Sequence, residues 1–149
     1  KPMSSKRTKW KPVTESNPQA RGVLIVDDQK SVTNLMGRIL SGFGFKPIPR
    51  NSGADALEFL GRESQAIGAV LLDVSMPEMN GIECMRRIKR SWPEIPVLLM
   101  SGYWDAEIGG QIGADEVVAV LQKPFTNGEL QEALSQAMSL DTETDRELS

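Results

Sequence analysis

The sequence predicts an α/β domain in which a five-stranded parallel sheet is covered by helices on both faces. Short apolar segments alternate five times along the chain with segments of helical periodicity. Each apolar segment is four or five residues long, which suits a buried strand. Strands that alternate with amphipathic helices are typical of a parallel sheet with both faces covered.

The first half of the chain predicts two strands, each followed by a helix. The first strand, Val23–Val26, precedes a helix that ends at Gly42 and Gly44. The apolar face of this helix is predicted to carry Val32, Leu35, Met36, Ile39 and Leu40. Two prolines place the second strand, Phe45–Pro49, towards a sheet edge. The next helix, Ala54–Leu60, turns its leucines inward.

The second half predicts three further strand and helix pairs. The strands are Ala69–Leu72, Pro96–Met100 and Val117–Leu121. The helix after the third strand has an apolar face made by Ile82, Met85 and Ile88. The fourth helix, 104–113, has a low helix propensity because it contains three glycines. The last helix presents Leu130, Ala133, Leu134, Ala137 and Met138.

Composition excludes several classes of function. The chain has no histidine, so it cannot use a serine–histidine–aspartate triad or a histidine-ligated metal. One cysteine, Cys84, allows neither an internal disulfide nor a multi-cysteine zinc site. A net charge of −3 gives no sign of direct nucleic-acid binding. The apolar segments are far shorter than the roughly 20 residues that span a bilayer, so we expect no membrane insertion.

The predicted domain has a polar segment on either side. Residues 1–21 read as a flexible basic linker, in which five lysine and arginine residues precede the first acid. Residues 22–140 form the domain, and 141–149 a polar tail. The single cysteine fits a reducing compartment, and the sequence shows no signal-peptide pattern. Both observations favour a cytoplasmic location.

Polar residues follow four of the predicted strands, where each strand ends. Asp27 and Asp28 follow the first strand, Asp73 the third, Ser101 the fourth and Lys123 the fifth. Ligands of open α/β sheets bind outside the carboxyl ends of the strands. Each residue alone has another reading: Asp28 and Ser101, for example, could each cap a helix. The combination at one sheet edge favours a functional site.

These residue types together predict a magnesium-dependent phosphoryl acceptor. Crowded carboxylates repel one another, and Mg²⁺ removes the repulsion while leaving room for phosphate oxygens. Asp73 is the predicted nucleophile, Asp28 a direct metal ligand, and Asp27 a direct or water-mediated one. Lys123 pairs with a phosphoryl oxygen from the far side, and the Ser101 hydroxyl donates to another.

At this point the chain resembles the receiver domain of two-component response regulators, from Gly22 to Leu140. The residues that carry the resemblance are Val26-Asp27-Asp28, Leu72-Asp73, Met76-Pro77-Glu78-Met79-Asn80-Gly81, Leu99-Met100-Ser101-Gly102 and Lys123-Pro124-Phe125. The resemblance implies a doubly wound, flavodoxin-like fold with strand order 2-1-3-4-5. It also implies that Asp73 receives its phosphoryl group from a histidine kinase or a histidine phosphotransfer domain.

The resemblance implies further roles. The main-chain carbonyl of Ser75 matches a usual metal ligand, and the Lys123–Pro124 bond matches a position that is usually cis. Such a domain is a phosphoacceptor rather than an enzyme in its own right. Whether it forms a homodimer on phosphorylation is left open. It is also left open whether the domain is a separate regulator or part of a hybrid histidine kinase. The residues in and around its motifs resemble those of receivers in hybrid kinases, which slightly favours the second.

One departure from the family concerns the switch. The position three residues before the lysine is often aromatic, and here it is Val120. We therefore expect a switch carried by Ser101 and the loop that begins at Gly102. Tyr103 and Trp104 either pack over the fourth helix or form a recognition patch beside the site.

Other functions are less consistent with the sequence. A pseudo-receiver that acts only as a protein-interaction module is the main alternative, but no active-site residue is lost. An aspartate-nucleophile phosphatase needs a second aspartate where Ser75 stands. A flavin binder needs a hydroxyl-rich phosphate loop after the first strand, and a cobalamin module needs a histidine.

Overall fold

The computed structural model describes residues 22–76, 81–102 and 119–138, together with residues 110, 112 and 117. These residues include a five-stranded, fully parallel sheet with the strand order β2-β1-β3-β4-β5. The predicted strand order is therefore confirmed. The strands are β1 (Gly22–Val26), β2 (Pro47–Arg50), β3 (Ile67–Asp73), β4 (Val97–Ser101) and β5 (Ala119–Gln122).

Four helices connect or follow these strands in the described part of the chain. They are α1 (Lys30–Gly42), α2 (Gly53–Glu63), α3 (Gly81–Ser91) and α4 (Asn127–Met138). A 3₁₀ turn, Ser64–Ala66, joins α2 to β3. The glycine-rich helix predicted at 104–113 lies outside the described residues, apart from residues 110 and 112, and so do Tyr103, Trp104 and both terminal segments.

Two apolar layers cover the faces of the sheet, because successive strand residues point to opposite sides. One face packs against α2 and α3 and includes Leu24, Val26, Val70, Leu72, Val97, Leu99, Leu60, Met85 and Ile88. The other packs against α1 and α4 and includes Val23, Ile25, Leu71, Leu98, Met100, Met36, Leu40, Leu130 and Leu134. The helices therefore lie in pairs on the two faces, which is the doubly wound arrangement.

The prediction for Leu35 is wrong: this side chain is 56% exposed. The buried line of α1 is formed by Thr33, Met36 and Leu40. Leu35 lies about 100° around the helix from Met36, given 3.6 residues per turn. Thr33 takes the inward place because its hydroxyl has hydrogen-bond partners there, Lys30 and Asn51.

The ends of the helices follow local chemistry. After α1, Gly44 adopts a φ of 95°, a conformation that favours glycine. The Ser52 side chain caps α2 by accepting a hydrogen bond from the amide of Asp55 at 3.0 Å. At the start of α4, Thr126 and Glu129 accept hydrogen bonds from each other's amides at 3.0 and 2.8 Å.

Strand β2 forms one edge of the sheet and is shorter than predicted. The amide of Phe45 bonds back to the Leu40 carbonyl, so the strand begins only at Pro47. The carbonyls of Lys46 and Arg50 accept hydrogen bonds from the amides of Val23 in β1 and of Asp27, which directly follows β1. The alternate positions, Pro47 and Pro49, therefore turn their backbone nitrogens to the open edge, where no hydrogen bond to β1 is lost.

Candidate functional site

The site is built at the carboxyl end of the sheet. Asp27 and Asp28 follow β1 directly, Asp73 is the last residue of β3, Ser101 ends β4 and Lys123 follows β5. The central strands β1, β3 and β4 are neighbours, so their ends meet at one place. The structure thus brings together the side chains that the strand pattern singled out.

Three carboxylates form the centre of this site. One oxygen each from Asp27, Asp28 and Asp73 lies within 4.8 Å of the others. Asp27 and Asp73 are buried, whereas Asp28 is exposed. A cluster of this kind has two acids fixed by the protein interior and one at its mouth. This donor set of oxygens, open on one side, fits a hard divalent cation such as Mg²⁺.

Lys123 contacts both buried acids. Its Nζ lies 3.2 Å from Oδ2 of Asp27 and 3.6 Å from Oδ2 of Asp73. About a third of its side chain, 32%, remains exposed. The sequence predicts that this lysine lies on the far side of a bound phosphoryl group. In the structure it sits between the two carboxylates, so its charge offsets part of their mutual repulsion.

The two buried acids are held in the same way. Oδ1 of Asp27 accepts a hydrogen bond from the amide of Gln29 at 3.0 Å, and Oδ1 of Asp73 accepts one from the amide of Ser75 at 2.9 Å. In both residues the second oxygen, Oδ2, faces Lys123. The amide two residues ahead therefore orients each carboxylate, as in an Asx turn.

Burial raises the pKa of Asp27 above its ordinary value, and the negative charge of Asp73 raises it further. The Gln29 amide and Lys123 act in the opposite direction but do not cancel the burial. A carboxyl in this position binds a proton more tightly than in the unfolded chain. A divalent cation beside it would favour the ionised form instead.

Ser101 and the residues around it complete the site on the β4 side. Ser101 is fully buried, and its carbonyl accepts a hydrogen bond from the Lys123 amide at 2.7 Å. The Lys123–Pro124 peptide bond is cis, as the resemblance implied. Gly102 follows Ser101 with no neighbour near its Cβ position among the described residues, and Val120 is 38% exposed on β5.

Gly81 is one site residue whose role the sequence analysis missed. A Cβ at Gly81 would overlap the carbonyl oxygen of Asp73 and come within 2.6 Å of the Cα of Val74. The Gly81 amide donates to the Val74 carbonyl at 2.9 Å. The start of α3 can therefore approach the Asp73 backbone closely only because this position has no side chain.

Asn51 and Thr33 were also missed. The Asn51 carboxamide donates to the carbonyl of Asp27 at 2.8 Å and to the hydroxyl of Thr33 at 3.2 Å. A signal for Asn51 was present, because it follows β2 directly, at the carboxyl end of the remaining one of the five strands. Thr33 gave no signal, since a threonine in a helical segment is ordinarily exposed.

The described residues contain no helix that is long and apolar enough to cross a membrane.

Comparisons with known proteins identify the family. The family model for the response regulator receiver domain matches residues 23–135. The transcriptional regulatory protein ZraR of Escherichia coli K12 is 36% identical over 126 residues, which cover 82% of this chain and 28% of ZraR. The sensor kinase CckA of Brucella abortus is 30% identical over 125 residues, covering 84% of this chain and 13% of CckA.

Solved structures agree on the fold. A response regulator receiver domain protein from Clostridium thermocellum superposes with a TM-score of 0.77 at 22% identity, covering 82% of this chain and 97% of that one. The match extends over nearly the whole of that protein, whereas the chain spans less than a third of ZraR and of CckA. This chain belongs to the response regulator receiver domain family of two-component signalling.

Proposed function

We propose that this domain accepts a phosphoryl group on Asp73, in a Mg²⁺-dependent reaction, from a phosphohistidine of a histidine kinase or a histidine phosphotransfer domain. The observation that carries the proposal is the cluster of Asp27, Asp28 and Asp73, whose oxygens lie within 4.8 Å, with Lys123 against Asp73. Carboxylates, a lysine and a buried hydroxyl are the groups that phosphoryl transfer to aspartate requires.

The metal ligands follow from the cluster. Asp28, Asp27 and Asp73 would supply carboxylate oxygens, with Asp27 binding directly or through a water, and the main-chain carbonyl of Ser75 would be a fourth ligand, as the family resemblance implies. Bound Mg²⁺ supplies positive charge that neutralises the carboxylates and the incoming phosphoryl oxygens. Mg²⁺ keeps several waters and uses few protein ligands, so a half-open set of this kind is sufficient.

The transfer step uses the Asp73 oxygen that faces Lys123. Its Oδ1 is held by the Ser75 amide, so we assign Oδ2 as the attacking oxygen. A P–O bond forms at Oδ2 as the P–N bond of the phosphohistidine breaks, and the electron pair of that bond returns to the donor's imidazole. Lys123, already 3.6 Å from Oδ2, stays close enough to pair with a phosphoryl oxygen.

The change of interaction surface begins at Ser101. Its buried hydroxyl ends β4 beside the site and donates to a phosphoryl oxygen once that group is present. This new hydrogen bond shifts Gly102 and the loop that follows it. Tyr103 and Trp104 in that loop form the recognition patch. The exposed Val120 lies on the neighbouring strand and replaces the aromatic switch of many relatives.

The wider role is part of the same proposal. The domain acts in the cytoplasm within a two-component system and does not itself bind DNA. ZraR is named a transcriptional regulatory protein and CckA a sensor kinase, so receiver domains similar to this one serve both kinds of output. We place this domain in a larger two-component protein, with a hybrid histidine kinase as the favoured parent. Homodimerisation on phosphorylation is open to test by sedimentation.

The test is phosphorylation of the purified domain by acetyl phosphate, read by intact mass spectrometry. We expect one added phosphoryl group that depends on Mg²⁺ and is absent in Asp73→Asn. The matched control is Asp55→Asn, an exposed acid on α2 that does not belong to the acidic cluster, which should be phosphorylated as the parent domain is.

Some receivers accept phosphate only from a protein donor, so a second probe is needed. Beryllofluoride binds an aspartate carboxylate as a phosphoryl mimic and requires no donor. If neither a phosphoryl adduct nor Mg²⁺-dependent beryllofluoride binding is found, the phosphoacceptor function is wrong. The domain would then act as a pseudo-receiver, an interaction module that works without phosphorylation.

A further inference from the structure

Asn51 lies outside the acidic cluster but is attached to it. Asn51 comes directly after the edge strand β2, in the loop that leads to α2. Its Nδ2 donates to the carbonyl oxygen of Asp27 at 2.8 Å. Since a carbonyl oxygen can only accept, this contact fixes the orientation of the carboxamide. The amide of Asp27 in turn donates to the carbonyl of Arg50 at 3.2 Å. Arg50 and Asn51, two consecutive residues at the end of β2, therefore bind both the amide and the carbonyl of Asp27.

The Asp27 carbonyl belongs to the peptide unit that joins Asp27 to Asp28. Fixing this carbonyl fixes the plane of that peptide and so the place where the Asp28 side chain begins. Asp28 itself is exposed, and no hydrogen bond to its carboxylate is found among the described residues. The position of Asp28 relative to Asp73 thus depends on the backbone that carries it.

Thr33 extends the same support to the far side of the acidic pair. The second N–H of Asn51 donates to the Thr33 hydroxyl at 3.2 Å, and that hydroxyl donates to the carbonyl of Lys30 at 3.1 Å. Thr33 is 1% exposed, and its two hydrogen bonds are partly shielded from water. The Asn51 carboxamide therefore holds the Asp27 end of this loop directly and the Lys30 end through the Thr33 hydroxyl.

We propose that Asn51 is a positioning residue for the metal site, which sets the placement of Asp28 and Asp27 through the peptide between them, with Thr33 as its relay. The inference rests on the proposed function, because it concerns the Mg²⁺ that the acidic cluster binds. Groups that orient metal ligands without touching the metal commonly change metal affinity by about 10- to 100-fold when removed.

The test is Mg²⁺ binding, measured by isothermal titration calorimetry of the metal-free domain with magnesium chloride. We expect Asn51→Ala to raise the Kd for Mg²⁺ about tenfold. Thr33→Val, which keeps the side-chain shape and loses the hydroxyl, should raise it about threefold, as expected for one neutral hydrogen bond. Thr33→Ser keeps the hydroxyl and should bind Mg²⁺ as the parent domain does. Asn34→Ala removes an exposed asparagine on α1 and should change nothing.

Thermal unfolding of the same metal-free variants separates positioning from simple stabilisation. If Asn51→Ala lowers the melting temperature but leaves the Kd for Mg²⁺ unchanged, Asn51 is merely structural and the inference is wrong. Should Asn51→Ala fail to fold, the Thr33 pair decides, and equal Kd values for Thr33→Val and Thr33→Ser overturn it. Absence of Mg²⁺ binding by the parent domain would instead overturn the proposed function, and with it the premise of this inference.

Discussion

The middle of the strands and their carboxyl ends differ sharply over a distance of one residue. In β3, Val70, Leu71 and Leu72 are apolar and fully buried, and the next residue, Asp73, is a buried acid. β1 repeats the pattern, with Val26 followed by Asp27. The middle of the sheet lowers the free energy of the folded state, whereas its carboxyl end gathers like charges that raise it.

This difference shows how the domain separates stability from chemistry. Burial of apolar side chains in the two layers contributes about 25 cal/mol for each Å² removed from water. Two buried carboxylates in the same sheet need compensation, which comes from Lys123 and from the amides of Gln29 and Ser75. Changes in the middle should therefore affect stability alone, whereas neutralising a buried acid at the end should raise stability and weaken metal binding.

The largest effect is expected from Leu72→Ala in the middle of β3. Leu72 is fully buried between Val26 and Leu99, so the cavity should lower the free energy of unfolding by about 2–5 kcal/mol. The matched control is Leu35→Ala on the exposed side of α1, which should change it by less than about 0.5 kcal/mol. Urea unfolding measures both. A similar loss for the two variants would contradict the placement of Leu35.

The next effect is expected at the junction of the two regions, from Gly81→Ala. The new methyl group would press on the carbonyl of Asp73 and on Val74, so we expect a loss of about 1–3 kcal/mol together with slower phosphorylation by acetyl phosphate. Gly61→Ala in α2 is the control, because no atom of the described residues lies within 4 Å of the Cβ that would be added. That change should stabilise the domain by up to about 1 kcal/mol. Unaltered phosphorylation in Gly81→Ala would show that the close approach has no bearing on Asp73.

At the carboxyl end, Asp27→Asn should stabilise the metal-free domain while weakening Mg²⁺ binding. The folded-state pKa of Asp27 is raised, so its contribution to stability is full below its unfolded pKa and is lost as the pH rises through the folded pKa. At pH 7 the neutral asparagine should therefore raise the free energy of unfolding of the metal-free domain.

The comparison for this prediction is Asp28→Asn, since Asp28 is exposed. It should weaken Mg²⁺ binding with little change in metal-free stability. Urea unfolding at several pH values supplies the measurement. The gain from Asp27→Asn should disappear as the pH falls through the raised pKa of Asp27, and a gain that persists in acid would rule out charge as its cause.

The smallest effect is expected from modification of Cys84, which belongs to the α2–α3 layer. Burial raises the pKa of the Cys84 thiol to about 11 from an ordinary 9.0. At pH 8 the folded domain then holds about one hundredth of the thiolate of the unfolded chain, so iodoacetamide should leave it almost unlabelled. Labelling in urea provides the reference. Equal rates in the two conditions would mean that the α2–α3 layer opens readily.

The sequence predicted the five strands and the grouping of polar residues at their carboxyl ends because both leave local signals. Apolar segments bounded by Asp27, Asp73 or Lys123 mark strand ends directly, and parallel strands bring those ends to one edge. The family resemblance supplied the strand order, which periodicity alone does not contain.

The remaining features depend on contacts between distant parts of the chain. Asn51 reaches Asp27 across 24 positions and Thr33 across 18, so no local pattern reveals either contact. The need for glycine at position 81 arises only when α3 meets the Asp73 backbone. Leu35 was misplaced because Thr33 is polar and yet buried, which turns the inward face of α1 by a fraction of a turn.

The prolines of β2 bear on how this domain behaves at high concentration. An uncovered strand edge presents a row of amides and carbonyls that a strand from another molecule can join, which is a common start of aggregation. Pro47 and Pro49 remove two of the donors that β2 would offer along that edge. Edge-to-edge addition at β2 would lack half of its hydrogen bonds there, so β2 protects the fold from growing into larger sheets.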